Sequence, residues 1–181
     1  MVFFDKDFKE LFSSELISII IGLAAGTVLA VYKQKIFLIP GMFILLPGLL
    51  ELRGNISGSF ASRLSSGLFL GAINPKKVHS RIIKGNLIAS FILAIIVSLA
   101  LGLLAYLFNV LIFKIYMPKI ILIPLIAGII ANAIEIPLAL FGTIYLFKRG
   151  HDPNNIMGPF VTSTGDITTV ISLLIALVIL I

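Results

Sequence analysis

The amino-acid sequence predicts an all-α polytopic membrane protein with five transmembrane helices per chain. Three observations carry that expectation. Of the 181 residues, 59% are hydrophobic and only 12% are charged, against roughly a quarter charged in a soluble globular domain. Several apolar runs exceed the roughly 18 residues that a spanning helix needs. The basic residues fall in short clusters between those runs, where juxtamembrane anchors belong. That clustering sets nucleic acid aside as the partner of a chain with net charge +6 and leaves membrane lipid. Cysteine is absent, which excludes disulfides, thiolate nucleophiles and cysteine metal sites and leaves oxygen chemistry.

Residues 1–14 set Phe3, Phe4, Phe8, Leu11 and Phe12 among Asp5, Lys6, Asp7, Lys9 and Glu10. This reads as a cytoplasmic amphipathic lead-in, either lying at the interface or running straight into the first span, with no cleaved targeting segment evident. Residues 15–181 then form the five-helix membrane domain. The first span is read from Leu16 to Tyr32.

The second span differs from the rest. Its apolar part, Ile36 to Leu50, has 15 residues, or about 22 Å of helix against a hydrocarbon core of about 30 Å. To cross, it must draw the polar run from Glu51 to Ser66 into the membrane, and Pro47 just before that run can bend or open a helix. The expectation is a broken, polar second helix that walls an aqueous path, because backbone freed at depth is tolerated only beside protein or a water-filled cavity. The competing reading ends the span at Leu50 and makes the polar run a loop, but Gly67 to Ile73 is apolar again and argues against it. The third span is read from Asn86 to Phe113, the fourth from Lys119 to Phe147 and the fifth from Ile156 to Ile181.

Basic residues set the orientation. Eight of them (Lys6, Lys9, Lys76, Lys77, Arg81, Lys84, Lys148 and Arg149) fall on one side, and four (Lys33, Lys35, Lys114 and Lys119) on the other. The positive-inside rule then puts the amino terminus in the cytoplasm and the carboxyl terminus outside, with the plasma membrane as the expected location. Gly22 and Gly26, Gly54 and Gly58, and Gly67 and Gly71 share the four-residue spacing that lets helix backbones approach closely. No internal repeat is visible, and five helices enclose little by themselves. A pore completed by a homodimer, on a twofold axis, is the simple solution.

Of the eight carboxylates, four precede or edge the first span, so Glu51, Glu135, Asp152 and Asp166 are the informative ones. Asp166 stands ten residues into the fifth span with fifteen residues after it. A charge near the bilayer centre costs on the order of 3 kcal/mol on the lenient insertion scale, so it should face a partner, a cavity or an ion. Thr162, Ser163, Thr169 and Val170 lie three or four positions away on the same helical face, and Gly158, Pro159 and Gly165 loosen the helix nearby. Across a twofold axis, two Asp166 carboxylates about 4 Å apart would repel by roughly 4 kcal/mol at an effective dielectric constant of 20. A divalent cation relieves that repulsion, and Mg²⁺ suits a site with few protein ligands because it keeps several of its waters. The other reading of Asp166 is a protonated packing residue or a proton relay. Three roles are open to Glu135: lining the path, pairing with Arg53 or Arg63, or staying protonated.

His79 and His151 both fall in cytoplasmic loops. Asp152-Pro153 reads first as the lead into the last helix, with Asp152 or Asn154 capping it. No serine has a histidine base at a recognised spacing, and no phosphate-binding glycine loop is present. Enzyme activity is therefore the weaker hypothesis, and no organic cofactor is expected.

The run Pro47 to Ser66, taken with Asp152-Pro153 and with Pro159-Phe-Val-Thr-Ser-Thr-Gly-Asp166-Ile-Thr-Thr169, resembles the membrane domain of MgtE-type magnesium transporters and their eukaryotic solute-carrier relatives. The resemblance implies a homodimer whose pore is lined by the second and fifth helices. Asp166 would be the central acidic residue, the Thr162 carbonyl would contribute to the ion site, and Asn55 would lie on the pore wall. Glu51, Gly54, Gly58, Ser163, Thr169 and Glu135 complete the expected lining. Bacterial members often carry Asn-Gln where Ser59 and Phe60 follow Gly58 here, which is closer to the solute-carrier version. MgtE proteins typically place a long acidic region before the first span, whereas about fifteen residues stand there in this sequence, so a different gating is expected. The function read from all this is transport of a divalent cation, Mg²⁺ first, as a channel or as an exchanger coupled to Na⁺ or H⁺. Another divalent ion is the nearest alternative, and a membrane-embedded enzyme or non-transporting subunit is the alternative of a different class.

Overall fold

The structure, a computed structural model, describes residues 5–180. Its order is α1 (Lys6–Phe37), α2 (Met42–Phe69), α3 (Arg81–Phe108) running into a π turn (Asn109–Phe113), a 3₁₀ turn (Pro118–Ile121), α4 (Leu122–Lys148) and α5 (Pro153–Leu180). Among the described residues there is no strand. Four stretches are long and apolar enough to cross a membrane: α1, α3 with its π turn, α4 with the 3₁₀ turn, and α5.

Helix α1 begins where Asp5 accepts a hydrogen bond from the Phe8 amide at 2.9 Å, a side-chain cap on otherwise orphaned donors. Residues 6–14 of the lead-in are continuous with the span, while Phe3 and Phe4 lie outside the described residues. The helix is 32 residues long, about 48 Å, and packs chiefly against α5. Its outer face shows Ile19, Ile20, Leu23 and Val31, as a lipid-facing helix does. Gly22 and Gly26 meet nothing within 4 Å, so this glycine pair brings no other helix of the chain close.

The expected break in the second helix is absent: α2 is continuous from Met42 to Phe69. Pro47 sits in its second turn, where the missing N–H forfeits only the bond to Phe43, and every residue from Glu51 to Ser66 stays helical. The physical reason is the one that made a break seem tolerable. Within hydrocarbon an intact helix satisfies its own backbone, so the polarity is expressed by side chains alone. The helix is not among those apolar enough to span by composition; it packs against α3, α4 and α5.

Close approaches fix the remaining packing. A Cβ on Gly102 of α3 would stand 2.3 Å from the Ile121 carbonyl oxygen, and one on Gly128 of α4 would stand 2.2 Å from Ser98 Oγ. Gly41 turns the chain between α1 and α2 with φ +84°, and Asn109 closes over it by donating to the Pro40 carbonyl at 2.9 Å. Buried side chains form two principal clusters. One contains Ile36, Met42, Leu45, Leu49, Ile120, Ile123 and Leu173; the other contains Phe60, Leu64, Ile83, Ile136, Leu140, Met157 and Val161. Between them along α2, α4 and α5 lies a buried polar layer with Arg53, Ser57, Asn132, Glu135 and Thr169.

Candidate functional site

Helices α2 and α5 lie side by side because α2 offers glycine where they meet. A Cβ on Gly54 would be 3.4 Å from Thr162 Oγ1, and one on Gly58 would be 4.0 Å from Val161 Cγ2. Helix α5 enters through Asp152, whose carboxylate accepts from the Asn154 amide at 2.8 Å, with Pro153 at its first position, the place a helix tolerates proline best. Pro159 inside α5 has no N–H for the Asn155 carbonyl. Ser14 of α1 donates to that carbonyl instead, at 3.0 Å. The Pro159 carbonyl in turn accepts from Ser18 of α1 at 3.1 Å and from Ser163 at 2.9 Å. Two serines of α1 thus hold the loosened turn that precedes Asp166.

The groove between α2 and α5 contains a cavity of about 420 Å³ lined by Pro47, Leu50, Glu51, Gly54, Asn55, Thr162 and Asp166. A smaller space of about 160 Å³, bordered by Gly58, Ser62, Pro153, Asn154 and Gly158, lies along the same pair of helices toward the start of α5. Asp166 is half-buried, and no described residue donates a hydrogen bond to it. Thr162 spends its proton on the Gly158 carbonyl at 3.0 Å, which leaves its oxygen lone pairs for the groove. Glu51 accepts from Asn55 at 3.1 Å, and both are exposed at the rim. The structure therefore brings together Asp166, Thr162, Asn55, Glu51 and Gly54 on one cavity, with Gly58 on its continuation.

Ser163, Thr169 and Glu135 sit elsewhere. Ser163 and Thr169 are 2% and 0% exposed, and Glu135 is 0% exposed. Residues three and four positions from Asp166 span a wide arc of α5, and the groove opens over only part of it. Glu135 accepts from Thr168 at 3.0 Å and lies 3.4 Å from Thr164 Oγ1. Of the partners open to it, the nearby cation is Arg53. Arg63 turns instead to α3, where it donates to Asn86 Oδ1 and Ser90 Oγ, each at 3.0 Å.

Arg53 was legible in the sequence only as one possible partner for Glu135. In the fold it is 1% exposed, between α2, α4 and α5. Its Nη2 donates to Thr168 Oγ1 at 3.4 Å, the same hydroxyl that meets Glu135, and lies 3.9 Å from where a Cβ on Gly165, next to Asp166, would stand. Among the described residues the direct ion pairs lie outside this layer, where Glu10 meets Lys6 at 3.7 Å and His151 at 2.8 Å. His151 is thereby tied to the start of α1 and takes no part in the groove. Among the described residues, no three His, Asp or Glu side chains come together as a metal cage. Few protein oxygens and room for water are what a hydrated, oxygen-seeking cation requires.

A family model described as MgtE, divalent cation transporter, matches residues 46–176, a stretch that begins just before Pro47 and runs past Asp166. No solved structure matches the chain.

Proposed function

The chain belongs to the MgtE family of divalent cation transporters, and from that premise we propose that it carries Mg²⁺ through the groove between α2 and α5. The observation that carries this reading is Asp166, a membrane carboxylate without a hydrogen-bond donor among the described residues, on a cavity it shares with Thr162, Asn55 and Glu51. A carboxylate with no donor at such depth calls for a cation in the groove. Mg²⁺ crosses partly hydrated, held by the Asp166 carboxylate and by the Thr162 oxygens, with water on the Asn55 and Glu51 side. Residues 15–181 are the transporting unit, and residues 1–14 lead into it.

The groove lies open on the single chain, and Glu51, Asn55, Ser59 and Ser62 are exposed along one stripe of α2. Lipid is a poor cover for such a stripe. A second copy related by a twofold axis covers it, giving a homodimer whose pore runs along α2 and α5. The amino terminus lies in the cytoplasm and the carboxyl terminus outside, in the plasma membrane. The basic-residue count favours this orientation, and the Lys6 bond to the Gly150 carbonyl keeps two of the counted basic clusters together.

The test is Mg²⁺ uptake into liposomes holding the purified protein, native against Asp166→Asn, with Ca²⁺ and Mn²⁺ as competitors. Uptake is expected to fall to background in the variant. Competition by another divalent ion at lower concentration would reassign the cargo. Undiminished flux through a folded Asp166→Asn protein would remove Asp166 from the path, and no uptake of any divalent ion by the native protein would favour the subunit or enzyme reading.

A further inference from the structure

Arg53 is the cation buried at the level of the proposed ion path, and its surroundings are those of a charge rather than of a tie. Leu49, Leu52 and Ile56 beside it on α2 are buried apolar residues, so an apolar side chain would pack there at far less cost than a guanidinium. Were hydrogen bonding its purpose, its five donors would be met. Instead, among the described residues Nε and Nη1 are buried with no hydrogen-bond partner, and only Nη2 reaches a side chain, that of Thr168. The guanidinium lies against the turn of α5 that carries Asp166. A Cβ on Gly165 would be 3.9 Å from Nη2, and Thr168 is two residues beyond Asp166. Arg53 therefore stands between two carboxylates, joined to Glu135 through the Thr168 hydroxyl they share and set beside Asp166 by its approach to Gly165.

We propose that Arg53 is a built-in counter-cation for Asp166, weakening that carboxylate's hold on the passing divalent cation so that the ion can leave, with Glu135 setting how much of the Arg53 charge reaches the groove. The inference rests on the transport reading above. A pore must bind its ion well enough to admit it and weakly enough to release it, and a lone carboxylate in a low-dielectric groove errs toward retention. Arg53 is a positioning residue in this account: it touches no ion and acts through Asp166. Two variants then shift the apparent affinity in opposite directions. Without the Arg53 charge, Asp166 binds the cation more tightly; without the Glu135 charge, more of Arg53 is left to Asp166, which binds less tightly.

The experiment measures initial Mg²⁺ uptake against Mg²⁺ concentration in liposomes for the native chain, Arg53→Gln, Arg53→Lys, Glu135→Gln and Asp166→Asn. Arg53→Gln is expected to lower the half-saturating concentration by on the order of tenfold while also lowering the maximal rate. Arg53→Lys should stay near native, and Glu135→Gln should raise the half-saturating concentration. Loss of a merely structural residue lowers the rate without tightening binding, so an unchanged or raised half-saturating concentration in folded Arg53→Gln overturns the proposal. Should Arg53→Gln not fold, Glu135→Gln decides: a raised value supports the proposal, and an unchanged or lowered one overturns it. Asp166→Asn separates the two levels. Silence there with no tightening in Arg53→Gln sinks the counter-cation role alone, whereas native flux in Asp166→Asn sinks the ion path on which it depends.

Discussion

The Thr168 hydroxyl on α5 stands 3.0 Å from Glu135 Oε1 on α4 and accepts at 3.4 Å from Arg53 Nη2 on α2. One small side chain thus joins three helices in the buried layer. Replacing it with valine keeps the shape and removes the bridge. Thr168→Val is expected to lower stability by about 1–3 kcal/mol, the cost of leaving buried polar partners unmet, while Thr168→Ser is near neutral. Thermal unfolding of the purified protein in detergent reads the difference.

Gly102 admits the 3₁₀ turn against α3, since a Cβ there would fall 2.3 Å from the main-chain oxygen of Ile121. Backbone cannot swing away as a side chain does, so Gly102→Ala should cost about 1–3 kcal/mol by overpacking. Gly22→Ala, at a position with nothing within 4 Å, should cost nothing measurable. Equal behaviour of the two variants would count against the α3 packing described.

Glu10 gathers the start of α1 and the start of α5. It meets His151 at 2.8 Å, the Asp152 amide at 3.2 Å and Asn155 at 3.4 Å. Glu10→Ala leaves those donors without their common acceptor. Amide exchange in residues 150–155 should quicken at least severalfold, with the centre of α4 unchanged, because a segment opens as readily as its own local interactions allow.

Gly54 faces Thr162 across the groove, with 3.4 Å left for a Cβ. Gly54→Ala should therefore be tolerated, whereas Gly54→Leu fills the cavity beside Asp166 and should cut divalent-cation uptake tenfold or more. A folded Gly54→Leu protein with native uptake would place the ion path elsewhere.

How much of this was legible beforehand differs from helix to helix. The apolar lengths of α1, α3, α4 and α5 announced spans, and their observed bounds differ from the expected ones mainly by added turns at the ends, where caps such as Asp5 and Ser80 extend a helix beyond its apolar run. The polar character of α2 was equally plain, but its expected break was not found, because proline in a second turn removes one hydrogen bond and leaves the others intact. Asp166 was conspicuous as an isolated carboxylate in an apolar helix. Arg53 was not, since it follows Glu51 in a polar run where a solvated side chain would look the same.

The sequence by itself determined that this chain lives in a bilayer as a set of long helices, and that Asp166 needs an answer to its charge. Both follow from the cost of unsatisfied polar groups in hydrocarbon, which any single segment already feels. Only the tertiary structure decided which polar side chains share a cavity. Asp166, Thr162, Asn55 and Glu51 meet there, while Ser163 and Thr169 on α5 and Glu135 on α4 turn inward. That sorting depends on the rotation of each helix about its axis, which is set by where glycines such as Gly54 and Gly128 let neighbours close in. No helix carries that information alone, because close packing is a property of pairs of surfaces.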